Sequence, residues 1–160
     1  MTTSITNRSQ VLGAAIALLI LINANPVHAD DPSLYERLGG LPAISLAVNN
    51  FVDDFIQDPV ILANPAVEEK KTPEAAPYIK FQVTALLCEI TGGPCEYTGL
   101  SLAEAHDGLN VSEQEWDRMV ELFIDTLDSL EVPEGEKEEL LGLLGPTKDD
   151  IVVTSAVESS

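Results

Sequence analysis

The apolar residues of this chain recur at steps of three and four positions, and no stretch alternates apolar with polar residues as a half-buried strand does. One stripe ends at Asp58, a second ends at Gly92, and a third follows the capping-box pair Ser112 and Glu115. The three stripes consist of Ile44, Val48, Phe51, Val52 and Phe55; of Ile79, Val83, Leu86, Leu87 and Ile90; and of Trp116, Met119, Val120, Phe123, Leu127 and Leu130. Helices with one apolar face bury it against one another, so the sequence predicts a single all-α domain.

Glycines and prolines mark the expected ends of the helices. The pattern predicts helices over residues 33–38, 42–57, 78–90, 101–106, 112–130 and 133–144. The stretch between Pro59 and Tyr78 holds three further prolines and no sustained period, which predicts a loop with room for one helical turn. We expect the leucines of the last helix to lie inside the core, namely Leu140, Leu141, Leu143 and Leu144.

The first 29 residues have the three-part layout of a secretory signal peptide. A polar start with Arg8 as its only charge precedes the apolar run 11–22, and the small-residue tripeptide 27–29 comes directly before Asp30. Twelve apolar residues are too few for the roughly 20 that a membrane-spanning helix needs, which argues against an uncleaved anchor. We therefore expect residues 1–29 to be removed.

Cleavage at this point defines a domain over residues 30–153, followed by a flexible tail over 154–160, in a periplasmic or secreted protein with no stable membrane association. It also removes His28 and leaves His106 as the only histidine. The remaining chain has seven Lys and Arg residues against 27 Asp and Glu residues, a formal net charge of −20. A field of that sign repels nucleic acid and anionic membrane surfaces.

Cys88 and Cys95 are the only cysteines, and they lie seven residues apart across a Gly-Gly-Pro turn. The spacing permits a disulfide if Cys88 lies on a helix and Cys95 lies beyond the turn, but it does not require one. A CxxC pattern is absent, and two cysteines with one histidine are too few ligands for a structural zinc site.

The single histidine, His106, lies among small residues at the end of a short predicted helix. One imidazole forms neither a catalytic triad nor a cage of several histidines around a metal. Three readings remain: a packed core residue, a phosphate acceptor, or the one protein ligand of a haem, whose porphyrin supplies four nitrogens of its own.

Five motifs extend over nearly all of residues 33–153: "LYERLGG", "DP" after the first long helix, "TGGPCEYTG", "LAEAHDGLNVSEQEW" and "GPTKDDIV". In their order and spacing they resemble the group I truncated haemoglobins, a group of compact bacterial-like globins. The resemblance implies a two-on-two helical sandwich around haem b. It further implies that His106, in the A-H-x-G-L stretch, is the proximal ligand of the iron.

The resemblance implies less about the opposite, distal side of the haem. The family's phenylalanine–tyrosine pair stands here as Phe51-Val52, and valine cannot donate the hydrogen bond that the tyrosine gives to the bound gas. The family's glutamine corresponds to Gln82 if one residue is inserted before Gly92. A charge-assisted hydrogen bond is worth roughly 1.5–3 kcal/mol, so we expect O2 to leave about tenfold or more faster than it leaves tyrosine-bearing relatives.

The resemblance implies reversible binding of O2, NO or CO, for oxygen binding or transport, or for NO detoxification by dioxygenation. The latter needs a separate reductant protein, because the chain has no flavin or nicotinamide motif. Two other functions stay open: a cofactor-free acidic helical binding protein of the export compartment, and a phosphotransfer module with His106 as acceptor. Asp107 argues against the second, because it places a negative charge where a phosphate would arrive.

Overall fold

The computed structural model describes residues 31–153, so the predicted signal peptide 1–29, Asp30 and the predicted tail 154–160 lie outside the described residues. The described residues form eight α-helices and two 3₁₀ helices and no strand, which confirms the all-α prediction. In chain order these are α1 Leu34–Arg37, α2 Gly40–Phe55, η1 Ile61–Ala63, α3 Pro65–Glu69, α4 Ala75–Ile90, α5 Leu102–His106, α6 Glu113–Ser129, α7 Glu134–Leu144, η2 Gly145–Thr147 and α8 Lys148–Ile151. Over residues 31–153, none of the helices has both the length and the apolar character needed to cross a membrane.

The main core forms where α2 packs against both α4 and α6. All five apolar positions predicted for α2 belong to this core. At its centre the rings of Phe51 on α2 and Phe123 on α6 meet edge to face, with centroids 5.3 Å apart. Leu34 and Leu140 are also buried in it and bring α1 and α7 to the same core.

Two predicted helix starts are wrong. α2 begins at Gly40 rather than at Pro42, directly after Gly39, whose left-handed φ of 93° suits a glycine that separates two helices. α4 begins at Ala75 rather than at Tyr78, because Pro77 falls in the first turn of the helix. The N–H groups of a first turn have no partner within the helix, so a proline there removes no hydrogen bond.

The stretch after α2 holds more helix than predicted. η1 and α3 replace most of the expected loop. Asp58 Oδ1 accepts from the N–H of Ile61, the first residue of η1, at 3.2 Å, and Asn64 Oδ1 caps α3 by accepting from the N–H of Ala66. The expectation that all four leucines of α7 lie inside is also wrong, because Leu143 is 40% exposed. Four leucines within five residues span too wide an arc of the helix to face one core.

Cys88 and Cys95 form a disulfide, with Cα atoms 5.7 Å apart, so the bridge that the spacing permits is present. Cys88 is fully buried near the end of α4, and Cys95 lies in the segment that leads to α5. Gly93 permits the tight return of the chain: its N–H donates to the Cys88 carbonyl at 2.7 Å, and a Cβ there would lie 2.8 Å from the Cys88 sulfur. The disulfide therefore ties the end of α4 to the connection towards α5.

Candidate functional site

The helix that carries His106 is only five residues long, and a capping box holds its first turn. The side-chain oxygen of Ser101 accepts from the N–H of Glu104 at 3.3 Å, while the Glu104 carboxylate accepts from the Ser101 N–H at 3.1 Å and from its hydroxyl at 2.6 Å. These two donors, the hydroxyl first, lower the pKa of Glu104 below its ordinary value. A helix this short has little stability of its own, so the capping box matters for where His106 lies.

His106 is the last residue of α5 and is half-buried. Its Nδ1 lies 2.8 Å from the carbonyl oxygen of Leu102, one helical turn earlier. A carbonyl oxygen only accepts hydrogen bonds, so Nδ1 must carry the proton in this pair. The neutral imidazole then presents the lone pair of Nε2, which is the form that binds a metal.

The turn after His106 is fastened at several points. Gly108 reverses the chain with a φ of 73°, in the left-handed region, and has open space around its Cα. The side-chain amide of Asn64 donates to the Leu109 carbonyl at 2.8 Å, and the N–H of Val153 donates to the Val111 carbonyl at 3.0 Å. α5 also packs against α8. His106 is thus held between a capped helix and an anchored turn.

Gln82 lies on α4, and its Oε1 is buried without a hydrogen-bond partner among the described residues. This oxygen lies against Gly99, where a Cβ would come within 2.7 Å of it and would also collide with the Tyr97 hydroxyl. An unpaired buried oxygen is costly in a finished core, so it indicates a place where a ligand supplies the missing partner.

Tyr97 fastens the segment before α5 to α4. Its N–H donates to the Glu89 carboxylate at 2.5 Å, and its hydroxyl donates to the Leu100 carbonyl at 2.7 Å. Together with the disulfide, these bonds fix the connection between the helix of Gln82 and the helix of His106. Tyr97 is therefore a support of this corner.

Phe51 and Val52, the other two residues predicted for the site, lie together on α2 in the main core. Val52 is 0% exposed, and Phe51 packs on Phe123 and, at 5.7 Å between centroids, on Phe55. Neither side chain offers a hydrogen bond. The structure thus brings Phe51 and Val52 together, while Gln82 and His106 lie on separate helices linked through the Tyr97 corner.

Two aromatic residues on α4, Tyr78 and Phe81, were not among the site residues predicted from the sequence. Their side chains are 58% and 66% exposed, and Leu100, in the segment before α5, is 56% exposed. Two large rings three residues apart share one face of a helix, and such an apolar surface is typical of a place that a ligand or partner covers. The only signal in the sequence was their position outside the predicted apolar stripe of α4.

Lys80 lies between these two rings in sequence but points to α2. Its ammonium group donates to the Asp53 carboxylate at 2.6 Å and to the Asn49 side-chain oxygen at 2.8 Å. Because these bonds hold Lys80 on the α2 side of the helix, the positive charge is directed away from the face of Tyr78 and Gln82.

Comparison with known proteins gives a consistent result. Residues 33–153 match the model of the bacterial-like globin family. A group 1 truncated hemoglobin of Tetrahymena pyriformis is 28% identical over 120 residues, which are 75% of this chain and 94% of that protein. A group 1 truncated hemoglobin of Mycolicibacterium paratuberculosis is 25% identical over 128 residues, 80% of this chain and 90% of that protein.

Solved structures agree with these sequence matches. The crystal structure of the Tetrahymena pyriformis truncated hemoglobin in its Fe(III) form superposes with a TM-score of 0.68 at 28% identity, covering 77% of this chain and 100% of that one. The 2/2 hemoglobin of Synechococcus sp. PCC 7002, in the cyanomet state with covalently attached heme, superposes with a TM-score of 0.63 at 24% identity, covering 76% and 98%.

The fold and the match define a helical globin with the two-on-two arrangement of the truncated haemoglobins. The chain belongs to the bacterial-like globin family.

Proposed function

We propose that this protein is an exported haem protein that reversibly binds O2, NO or CO at a haem b iron held by His106. The observation that carries the proposal is the 2.8 Å contact between Nδ1 of His106 and the Leu102 carbonyl, because it leaves Nε2 as the free metal-binding atom. A haem would bring an iron with four porphyrin nitrogens, His106 would add the protein ligand, and the iron could then take a gas.

The other side chains fit a ligand of this kind. Within residues 31–153 no group of three or more His, Cys, Asp or Glu side chains is placed to hold a metal ion, so a metal at His106 needs ligands from a cofactor. The exposed rings of Tyr78 and Phe81 and the side chain of Leu100 provide apolar surface for a flat macrocycle. Among the described residues, Gln82 contributes the one buried side-chain nitrogen or oxygen atom that lacks a hydrogen-bond partner.

Export is the part of the proposal that concerns location. It is supported by the signal-peptide layout of residues 1–29 and by the Cys88–Cys95 disulfide, which suits an oxidising compartment. A periplasmic or secreted globin is separated from cytoplasmic nicotinamide. If it oxidises NO, the electrons that restore the ferrous state come from a separate reductant protein.

Haem titration of the purified mature chain tests the proposal. We expect one haem per chain, a Soret band, and a spectral change when CO or O2 is added to the ferrous protein. His106→Ala should lose or shift the Soret band, while Asp107→Asn, at the exposed neighbour, should retain the wild-type spectrum. Absence of any Soret band in the wild type would favour the cofactor-free acidic binding protein instead.

A further inference from the structure

Tyr78 and Gln82 lie one turn apart on the same face of α4. Glu89 continues this face two turns further along and accepts the Tyr97 N–H. At Gln82 the corner of Tyr97 and Gly99 lies over this face, while Glu89 stays exposed at its edge. Tyr78 lies before that cover begins, which explains its 58% exposure.

Few hydrogen-bond donors lie near the face of α4 that carries Tyr78 and Gln82. Val52, where the relatives' tyrosine is expected, carries no donor and is fully buried. The Tyr97 hydroxyl is already used on the Leu100 carbonyl. In contrast, the Tyr78 hydroxyl forms no hydrogen bond to any residue within 31–153, and a phenol is a good donor to an acceptor with partial negative charge.

We infer that Tyr78 donates the hydrogen bond that stabilises the gas in the distal pocket, in place of the tyrosine that Val52 replaces. The inference rests on the proposed haem function. It moves the donor from α2 to α4, to the part of the Gln82 face that the corner of Tyr97 and Gly99 leaves uncovered. The hydrogen bond from Tyr78 on α4 then offsets the weak O2 binding that is expected from Val52 alone.

The pKa of the neighbouring Tyr97 phenol agrees with this placement of Tyr78. Burial, and after it the nearby Tyr78 phenol, raise the pKa of Tyr97 above its ordinary value. The Tyr78 phenol therefore lies close enough to Tyr97 to act on it. The Tyr97 hydroxyl and the Gln82 oxygen both lie against Gly99, so Tyr78 lies near the corner that covers Gln82.

The test compares the variant Tyr78→Phe with Tyr35→Phe. Tyr78→Phe keeps the ring and removes only the hydroxyl, and the exposed position makes misfolding no concern. Tyr35 on α1 packs against Gly93, in the turn that follows α4, so it is a matched phenol outside the site. Two properties are measured on the haem-loaded ferrous proteins: the O2 dissociation rate by stopped flow, and the CO stretching frequency by infrared spectroscopy.

We expect Tyr78→Phe to release O2 about ten- to a hundredfold faster and to shift the CO stretch to higher wavenumber. Tyr35→Phe should leave both values unchanged. A Tyr78→Phe protein with the wild-type rate and CO stretch would overturn the inference while leaving the haem function intact. A wild-type chain that takes up no haem would overturn both, so the two failures are distinguishable.

Nitration with tetranitromethane gives a second readout that needs no gas. Tyr78 should be nitrated in the apoprotein and protected once haem is bound, while the nitration of Tyr35 should not depend on haem. Equal nitration of Tyr78 in both states would place it outside the haem site and contradict the inference.

Discussion

The carbonyl oxygen of Leu102 lies 2.8 Å from Nδ1 of His106, and this contact selects which imidazole nitrogen is available to a metal. The contact exists because both residues lie on α5, at positions one turn apart. Whatever keeps this five-residue helix formed therefore also keeps His106 oriented.

Ser101→Ala should weaken that orientation. The variant loses the side-chain half of the capping box, at a cost of about 1 kcal/mol to the helix, and haem should dissociate faster as α5 frays. Transfer of haem to an excess of apomyoglobin measures the rate. Ser112→Ala, which removes the equivalent capping box of the 17-residue α6, is the control: it should lower global stability similarly with a smaller effect on haem loss. Equal rates of haem loss in the two variants would show that the cap of α5 contributes no more to haem retention than the cap of α6.

Gly99→Ala should destabilise the protein by about 1–3 kcal/mol, because the added methyl group would lie 2.7 Å from the Gln82 oxygen and would collide with Tyr97. Gly142→Ala is the matched control. Gly142 lies exposed within α7 with nothing near its Cα, so alanine there should stabilise the helix by roughly 0.5–1 kcal/mol. Urea unfolding monitored by circular dichroism gives both values. A neutral Gly99→Ala would mean that Gln82 does not pack against this corner.

Asp58 makes the free energy of unfolding depend on pH in the acidic range. Burial acts to raise the pKa of its carboxyl group, but hydrogen bonds from Arg118 and from the N–H groups of Ile61 and Val60 outweigh burial and hold the pKa below its ordinary value of 3.8. The carboxylate therefore stabilises the folded state above the unfolded pKa, and this contribution is lost as the pH falls through the lower, folded pKa. Arg118 forms bonds from both Nε and Nη2 to the same carboxylate oxygen.

Asp58→Asn should accordingly flatten the acid side of the stability curve. The difference in unfolding free energy between wild type and variant should be largest at neutral pH and should shrink as the pH falls below about 3.8. Urea unfolding at a series of pH values measures it, with the exposed Asp54→Asn as control. A difference that stays constant down to the lowest pH would contradict the assignment.

Val52→Tyr tests the distal pocket from the α2 side. Because Val52 is 0% exposed, the larger ring should cost about 1–3 kcal/mol of stability. The new hydroxyl should nevertheless slow O2 release by about tenfold or more. Introduced into Tyr78→Phe, it should restore part of the slow release lost there. O2 dissociation slowed little by Val52→Tyr in either background would contradict the conclusion that the α2 side of the pocket lacks a donor at residue 52.

The sequence predicted those parts of the structure that depend on local patterns. The capping box at Ser112 formed as expected, since the spacing of a hydroxyl and a glutamate is itself the structure of the cap, and the same spacing at Ser101 and Glu104 was not used although it forms the same cap. The apolar positions of α2 were also predicted, because a period of 3.6 residues with polar residues on the opposite side leaves only one face of the helix to bury. The bridge between Cys88 and Cys95 was left open, because it depends on how the chain returns at Gly93.

The residues of the candidate site were harder to predict than its helices. A stripe analysis selects side chains that face the protein core, whereas Tyr78 and Phe81 face away from it. The contact between Gln82 and Gly99 joins α4 to the segment before α5, and no periodic pattern in either part of the chain indicates it. His106 was identified because it is the one histidine in the predicted domain, but the Leu102 contact that fixes its tautomer required the geometry of α5.

The most direct test of the account is the iron–histidine stretching band of the ferrous protein, measured by resonance Raman spectroscopy with iron isotopes. We predict that the wild type and Asp107→Asn show the band, that His106→Gly lacks it, and that added imidazole restores an isotope-sensitive band in His106→Gly. A band that persists in His106→Gly without imidazole would show that another group binds the iron, and it would contradict the assignment of His106.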